Sequence, residues 1–484
     1  MDRRPLYITT TLPYVNADPH IGFAMELIRA DAIARFKKRT GHDVFFNTGT
    51  DEHGQKLLQA AKDSGEDVQG YVDRFAGRFR DLLPLLSISP DAHFIRTTDP
   101  KHIVAAQEFW QRCHARGFIY KKRYQTKYCV GCELEKTDSE LDQDGKCLLH
   151  PRLEIELRDE ENYFFKFSAF QQPLLDFYEK NSNFVIPDFR FKEIKNFVAG
   201  GLEDFSISRL SSKMSWGVPV PGDNEHVMYV WFDALVSYIS TLGWPGDEEN
   251  FSKYWSREGE IVQYCGKDNL RQQSAMWQAM LMAAGLPNSK HIIVNGFINA
   301  AGGQKMSKSL GNVISPYDVV KEYGADALRY FVLTELNSFE DSDFTMERFK
   351  EAYNASLANG LGNLASRIMK MATVHGVDIS SEEKKIDYYE EKKSYKNLNV
   401  FDIQREMEDI WLTIRALDKS IQENEPFKKI KTNPEEAKKQ IHALVVDLFI
   451  ISLRLWPFLP TTSEKIRIAI LEKTMPETLF PRKD

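Results

Sequence analysis

A strand, a turn, an amphipathic helix and a second strand follow one another at the start of the chain, and this order admits few folds. Leu6 to Thr10 is apolar and β-branched, as a buried strand requires. Asn16-Ala17-Asp18-Pro19 reads as a turn in which Asp18 caps a helix and Pro19 takes its first position. Ile21, Met25, Ile28 and Ala32 recur at helical spacing until Gly41 stops the run, and Asp43 to Asn47 is the next strand. Such a βαβ unit closes right-handed onto a parallel, doubly wound sheet.

A second α/β stretch begins after residue 225. Val227 to Phe232, Ile261 to Cys265 and His291 to Asn295 read as strands, with a helix from about Asn269 to Ala284. Between the two stretches lie a cysteine cluster and aromatic-rich segments such as Tyr163-Phe164-Phe165, so an insertion splits the nucleotide-binding fold. From about residue 346 the pattern turns helical. Ala358 to Met371, and later Trp411, Ile414, Leu417, Val445, Leu448 and Leu453, mark apolar helix faces. Ser380 to Lys396 is dominated by Glu and Lys and reads as a solvated linker. The expected fold is an α/β, doubly wound parallel-sheet domain split by a zinc-containing insertion and followed by an all-α bundle.

The zinc enters through spacing. Cys129-x-x-Cys132 and Cys147-x-x-His150 supply four ligands in two tight turns, a pattern suited to tetrahedral zinc. Four protein ligands close the coordination shell, so the metal is structural. Cys113 and Cys265 remain, read as buried small hydrophobes. With 484 residues there is room for several domains. No apolar run approaches a membrane span and no apolar signal segment follows Met1-Asp2-Arg3-Arg4, so a cytoplasmic location is expected. A net charge of −7 leaves any nucleic-acid contact to local basic patches.

Two motifs far apart in sequence point to phosphate. Pro19-His20-Ile21-Gly22 lies at a helix start, where free N–H groups and the dipole attract anions. Alone it says little, because a histidine at a helix start is commonly a cap. Gly302-Gly303-Gln304-Lys305-Met306-Ser307-Lys308-Ser309 adds a glycine-flanked loop carrying two lysines and lacks the Walker spacing.

Together the motifs resemble the HIGH and KMSKS signatures of the class I aminoacyl-tRNA synthetases, in the right order. Leu12-Pro13-Tyr14, Gly49-Thr50-Asp51-Glu52-His53-Gly54, Tyr229 to Ala234, Gly266-Lys267-Asp268 and Asn363 to Arg367 are similar to the methionyl family in particular. This resemblance covers nearly the whole chain. It implies a catalytic domain in two halves (1–117 and 223–318), a connective insertion with the zinc knuckle (118–222), a stem-contact region (319–345) and a helical anticodon-binding domain (346–484).

The resemblance also implies an activity: ATP and methionine form methionyl-adenylate, with Mg2+ accompanying the nucleotide, and methionine then passes to the 3′ adenosine of its tRNA. His20, Lys305 and Lys308 would be catalytic; Gly22, Gly266, Asp268 and Ile298 would complete the ATP site. Asp51, supported by Arg209, would bind the methionine ammonium group, and Leu12, Tyr14, Trp231, Ala234, Tyr238, Gln273 and Trp277 would enclose its side chain. Asn363 and Arg367, one helical turn apart, would read the anticodon. A monomer is expected.

The chain departs from the family pattern at three places. Phe23 replaces the last histidine of the first motif, Gln273 stands where a histidine is usual, and residues 471–477 contain no tryptophan to stack on the anticodon. Leucyl, isoleucyl and valyl relatives normally carry a larger editing insertion, and a cysteinyl enzyme would place zinc in its amino-acid pocket. A non-catalytic tRNA-binding paralogue is the competing reading from another class.

Overall fold

Six parallel strands form the central sheet, in the order His93–Arg96, His42–Thr50, Arg4–Thr9, Glu260–Gly266, His291–Asn295 and Val185–Ile186. The computed structural model describes residues 4–129, 134–136, 141–147, 152–256, 259–306, 311–379, 382–391 and 396–483. Along each strand alternate side chains enter different cores, as the two-residue period demands. Leu6, Ile8, Phe46, Val262 and Ile293 join the core that contains helix Ile21–Arg39. Tyr7, Phe45, Ile261, Ile292 and Val294 join the core that contains helices Pro100–Ala115 and Trp277–Ala284. Each side chain buried in this way stabilises the fold by about 1.5–3 kcal/mol. The two halves of the domain meet where Arg4–Thr9 pairs with Glu260–Gly266, and a crevice opens beyond the carboxyl ends of these strands.

Between the halves, Leu134–Lys136, Ile119–Cys129, Ile155–Phe165 and Phe205–Ser206 make an antiparallel sheet. Val185–Ile186, also from residues 118–222, instead extends the central sheet beside His291–Asn295. Cys129 ends its strand and Cys147 forms a bridge with Leu141; both are buried. Cys132 and His150 lie outside the described residues, as do Ser307, Lys308 and Ser309.

Four local expectations change. Asp223–Met228 is a strand, but it pairs antiparallel with Pro219–Val220 and Ser208–Leu210, and Val230–Ala234 is helical. A short apolar run does not distinguish a strand from a buried helical turn. The cap of helix Ile21–Arg39 is His20 in extended backbone, not Asp18, which pairs with Arg78. Residues 269–284 are not one regular helix: a 3-10 turn at Lys267–Asn269 and a π-turn at Gln272–Met276 precede Trp277–Ala284. Within the charged segment, Glu383–Glu391 is helical.

The helical tail is fastened to the sheet domain by buried charge. Asp31 pairs with Arg35 and Arg329, each at 2.8 Å, and accepts from Ser89. The same Arg329 guanidinium donates to the carbonyls of Leu86, Pro457 and Phe458. Arg29 ties the first helix to Asn295, at the end of strand His291–Asn295, and to the carbonyls of Asn337 and Ser338.

Candidate active site

The crevice is a cavity of about 1470 Å³. Its wall includes Leu12, Tyr14, Asp51, Arg209, Trp231, Ala234, Tyr238, Asp268 and Gln273, all singled out by the sequence. Loop residues after the first two strands are drawn together by backbone bonding: the Asp51 N–H donates to the Pro13 carbonyl at 2.9 Å, and Tyr14 and Asp51 form a parallel bridge. Gly54, at φ +115°, completes this corner. A Cβ there would stand 2.9 Å from the Tyr14 hydroxyl, so only glycine leaves the ring in place.

Asp51 is buried, and its Oδ1 has no hydrogen-bond partner among the described residues. Burial and the nearby Asp233 carboxylate push its carboxyl well above the usual range. Asp233 experiences the same burial, but the His53 and His102 rings hold it below that range. His53 Nδ1 lies 3.1 Å from one Asp233 oxygen and His102 Nε2 lies 3.7 Å from the other. Each carboxylate keeps one oxygen without a hydrogen-bond partner among the described residues, but Asp233 has two imidazoles beside it whereas no cationic side chain pairs with Asp51. A buried carboxylate in that state is a ready receptor for an ammonium group.

Arg209 shares the cavity but does not pair with Asp51. Its guanidinium donates to Ser206 Oγ at 2.9 Å and to the Ser208 carbonyl at 2.7 Å, and it lies 4.6 Å from the centre of the Tyr229 ring. The local strand Ser208–Leu210 turns the side chain toward these nearer acceptors. Trp277 is also displaced from its expected place. It lies behind Tyr238, fully buried between Phe109 and Trp255, because the straight helix that begins at this residue faces the core.

At the cavity floor, the Gln273 amide donates to the Tyr238 hydroxyl. Burial raises that hydroxyl well above its ordinary value despite the Gln273 bond, so it stays protonated. The π-turn holds Gln273 at this point, and one extra residue per turn is a feature sequence periodicity does not reveal.

On the other side of the crevice, His20 Nδ1 accepts the Gly22 N–H at 3.1 Å, which leaves the ring proton on Nε2. The ring folds so closely that a Cβ on Gly22 would meet it at 2.9 Å. Phe23 contacts His20 with ring centres 4.4 Å apart and packs on Phe79. Asp268 faces the cavity beside Gly266, where a Cβ would stand 2.6 Å from the Asp268 carboxylate. Ile298 belongs to strand Ile298–Ala300, whose neighbour Asn299 pairs with Lys305, and Lys305 is exposed. The Ile21 N–H donates to the Ile314 carbonyl at 3.2 Å, joining the start of the histidine motif to the segment after the lysine loop. His20, Gly22, Gly266, Ile298 and Lys305 are not in the wall of the large cavity itself.

Sequence reasoning missed Glu26 and His102, and it placed His53, Tyr229 and Asp233 in motifs without giving them a role. Glu26 accepts the Thr11 N–H at 2.6 Å, and burial pushes its carboxyl up to about 7, with Asp268 adding to the rise. A glutamate among apolar helix positions was the available signal. In the tail, Asn363 is exposed at the start of helix Asn363–His375, while Arg367 pairs with Asp418 on helix Ile403–Asn424. Among the described residues no helix is long and apolar enough to cross a membrane.

Comparison with known proteins gives a consistent result. The family described as tRNA synthetases class I (M) matches residues 6–150 and 135–369. A methionine–tRNA ligase from Thermotoga maritima is 39% identical over 98% of this chain and 76% of its own length. One from Synechocystis is 39% identical over 95% of this chain and 88% of its own. The Mycobacterium tuberculosis methionyl-tRNA synthetase in complex with methionyl-adenylate superposes with a TM-score of 0.85 at 34% identity, covering 99% of both chains. The apo form of that enzyme gives 0.79 at 30% identity.

Proposed function

The chain belongs to the methionyl class I tRNA synthetases and is a methionine–tRNA ligase, and from that premise we propose how its residues divide the work. Asp51 receives the methionine ammonium group; the unpartnered oxygen of this buried carboxylate is the observation that carries the reading. Tyr14, Trp231, Ala234 and Leu12 line the side-chain pocket, and Tyr238 with Gln273 forms its floor. Arg209 supports the wall through Tyr229 and the Ser206–Ser208 turn. Trp277 acts from behind, by packing on Tyr238.

ATP lies along the start of helix Ile21–Arg39. His20 offers its Nε2–H to the α-phosphate, Gly22 and Gly266 admit the nucleotide, Ile298 flanks the adenosine, and Asp268 holds the ribose hydroxyls. Lys305 and Lys308 neutralise the pyrophosphate. The methionine carboxylate attacks the α-phosphorus, a new P–O bond forms, and the bond to the β-phosphate oxygen breaks to release pyrophosphate. The terminal adenosine hydroxyl of the tRNA then attacks the carbonyl of the adenylate, and AMP leaves. Neither step uses an enzyme nucleophile; positioning and charge stabilisation do the catalysis. Magnesium, when bound with ATP, shields phosphate charge.

Cys129, at the end of its strand, and Cys147, in a bridge with Leu141, are two buried thiols, which fits a structural zinc completed by Cys132 and His150. In the tail, Asn363 and Arg367 present one helix face to the anticodon. The domain division at 117, 222, 318 and 345 is retained as the functional one, and the chain is read as a cytoplasmic monomer. Methionine-dependent ATP–pyrophosphate exchange, followed by charging of methionine tRNA, tests the assignment. Exchange that survives unchanged in Asp51→Ala would remove Asp51 from the amino-acid site.

A further inference from the structure

Behind Tyr238 and Gln273, the floor of the pocket, lies a file of three buried polar side chains that the catalytic assignment does not use: Gln263, Ser289 and Gln278. Its Gln278 end is set by two backbone groups whose hydrogen-bonding sense cannot reverse. The Ser289 N–H can only donate, and it donates to Gln278 Oε1 at 3.1 Å, where the Asn288 amide also donates. The Gln273 carbonyl can only accept, and it accepts from Gln278 Nε2 at 2.9 Å. Gln278 is therefore locked in one amide orientation.

The rest follows link by link. Gln278 Nε2 also donates to Ser289 Oγ at 3.1 Å, so the Ser289 hydroxyl gives its own proton to Gln263 Oε1. With its oxygen engaged, Gln263 turns Nε2 to Gln273 Oε1 at 3.3 Å. Gln273 is left to donate through Nε2 to the Tyr238 oxygen. Tyr238, having accepted, makes no donation to another described residue, and its ring lines the cavity. A flip of any one amide would face donor to donor or acceptor to acceptor inside the buried core, a mismatch that costs more than the bond itself.

We infer that the Gln278–Ser289–Gln263 file, through Gln273, is a directional relay that fixes the Tyr238 hydroxyl as a donor toward the bound side chain, and so selects an acceptor there, the methionine sulfur. Gln263, Ser289 and Gln278 are positioning residues: they act through Tyr238. The inference rests on the proposed placement of the methionine side chain against Tyr238. It explains how an amide serves at position 273, because a neutral side chain with one donor and one acceptor end transmits a direction. Leucine offers no acceptor, and neither does norleucine, which has methionine's shape with a methylene in place of sulfur.

The test compares methionine with norleucine in ATP–pyrophosphate exchange, as the ratio of kcat/KM values measured on one preparation, so that any loss of folded protein cancels. Tyr238→Phe should lower the methionine preference by about three- to tenfold, the range of one hydrogen bond. Ser289→Ala and Gln263→Met, which leave Tyr238 and Gln273 in place but free the amide to turn, should each lower it by roughly threefold or more, with KM for ATP unchanged. Ser289→Thr keeps the hydroxyl and should restore the preference. If Tyr238→Phe lowers the ratio while Ser289→Ala and Gln263→Met leave it at the parent value, the relay is refuted and the pocket assignment stands. If Tyr238→Phe itself leaves the ratio unchanged, the pocket assignment fails and the relay falls with it.

Discussion

Replacing Asp51 by Asn should move stability and methionine affinity in opposite directions. The wild-type carboxylate is buried, one oxygen lacks a hydrogen-bond partner, and Asp233 stands near it. Asparagine has nearly the same shape without the charge. Relief of a buried, poorly partnered charged group is worth about 1–3 kcal/mol. At about 2.1 cal/mol/K per residue, a chain of 484 residues loses about 1 kcal/mol for each degree, so Tm should rise by about 1–3 °C. Methionine loses a buried ion pair, which costs about 2–4 kcal/mol and raises its KM by about 30- to 1000-fold. KM for ATP should stay near the parent value. The raised Asp51 carboxyl means the native chain binds its proton more tightly than the unfolded chain does. Its contribution to stability is complete below the ordinary carboxylate range and is lost as pH rises through that range toward the raised value. The Asn variant should therefore gain on the parent as pH increases, while the parent's affinity for methionine weakens as pH falls and Asp51 takes up a proton. Scanning calorimetry and pyrophosphate exchange across pH measure both. A Tm that falls, or a methionine KM within threefold of the parent, would refute the reasoning.

Other outcomes can be stated from the same contacts. Arg329→Met removes one of the two guanidinium partners of the buried Asp31, together with the bonds to the Leu86, Pro457 and Phe458 carbonyls, and should cost about 3–5 kcal/mol in a chemical denaturation series. Phe23→Ala removes the ring against His20 and should reduce kcat/KM for ATP by roughly two- to tenfold with KM for methionine unchanged. Purified protein should contain about one zinc per chain by metal analysis, and Cys132→Ser should lower that content together with Tm. Arg367→Ala should weaken charging of methionine tRNA and spare adenylate formation; equal loss in both assays would remove Arg367 from anticodon reading.

Much of the catalytic framework was legible because it is written in period and punctuation. Ile292-Ile293-Val294 is a β-branched apolar run inside His291–Asn295, which forms the expected strand, and Ile21 to Ala32 repeats at helical spacing. The motif residues Leu12, Tyr14, Asp51, Trp231, Ala234, Tyr238, Asp268 and Gln273 converge on one cavity although more than two hundred positions separate the outermost. What escaped depends on tertiary competition. Asp18 is a good cap, yet Arg78 takes it and the imidazole of His20 serves instead. Arg209, expected to meet Asp51, finds nearer acceptors in Ser206 and Ser208. The π-turn at Gln272–Met276 carries no compositional mark, and it decides that Gln273 meets Tyr238 while Trp277 does not reach the cavity.

The core that holds Leu6 and Ile8 beneath the first helix is the same one that holds Leu448, Phe449, Ile466 and Phe480 in the tail. Arg329 is threaded through that shared core to the Phe458 and Pro457 carbonyls, so parting the sheet domain from the bundle would expose apolar side chains on both. Anyone cutting the chain near residue 345 to obtain a minimal adenylating enzyme would take the Trp456 ring from Arg35 and the Leu453 carbonyl from Arg39, both on helix Ile21–Arg39, the helix that bears His20 at its tip. Trimming this protein is therefore a matter of re-engineering an apolar surface and not of choosing a cleavage site.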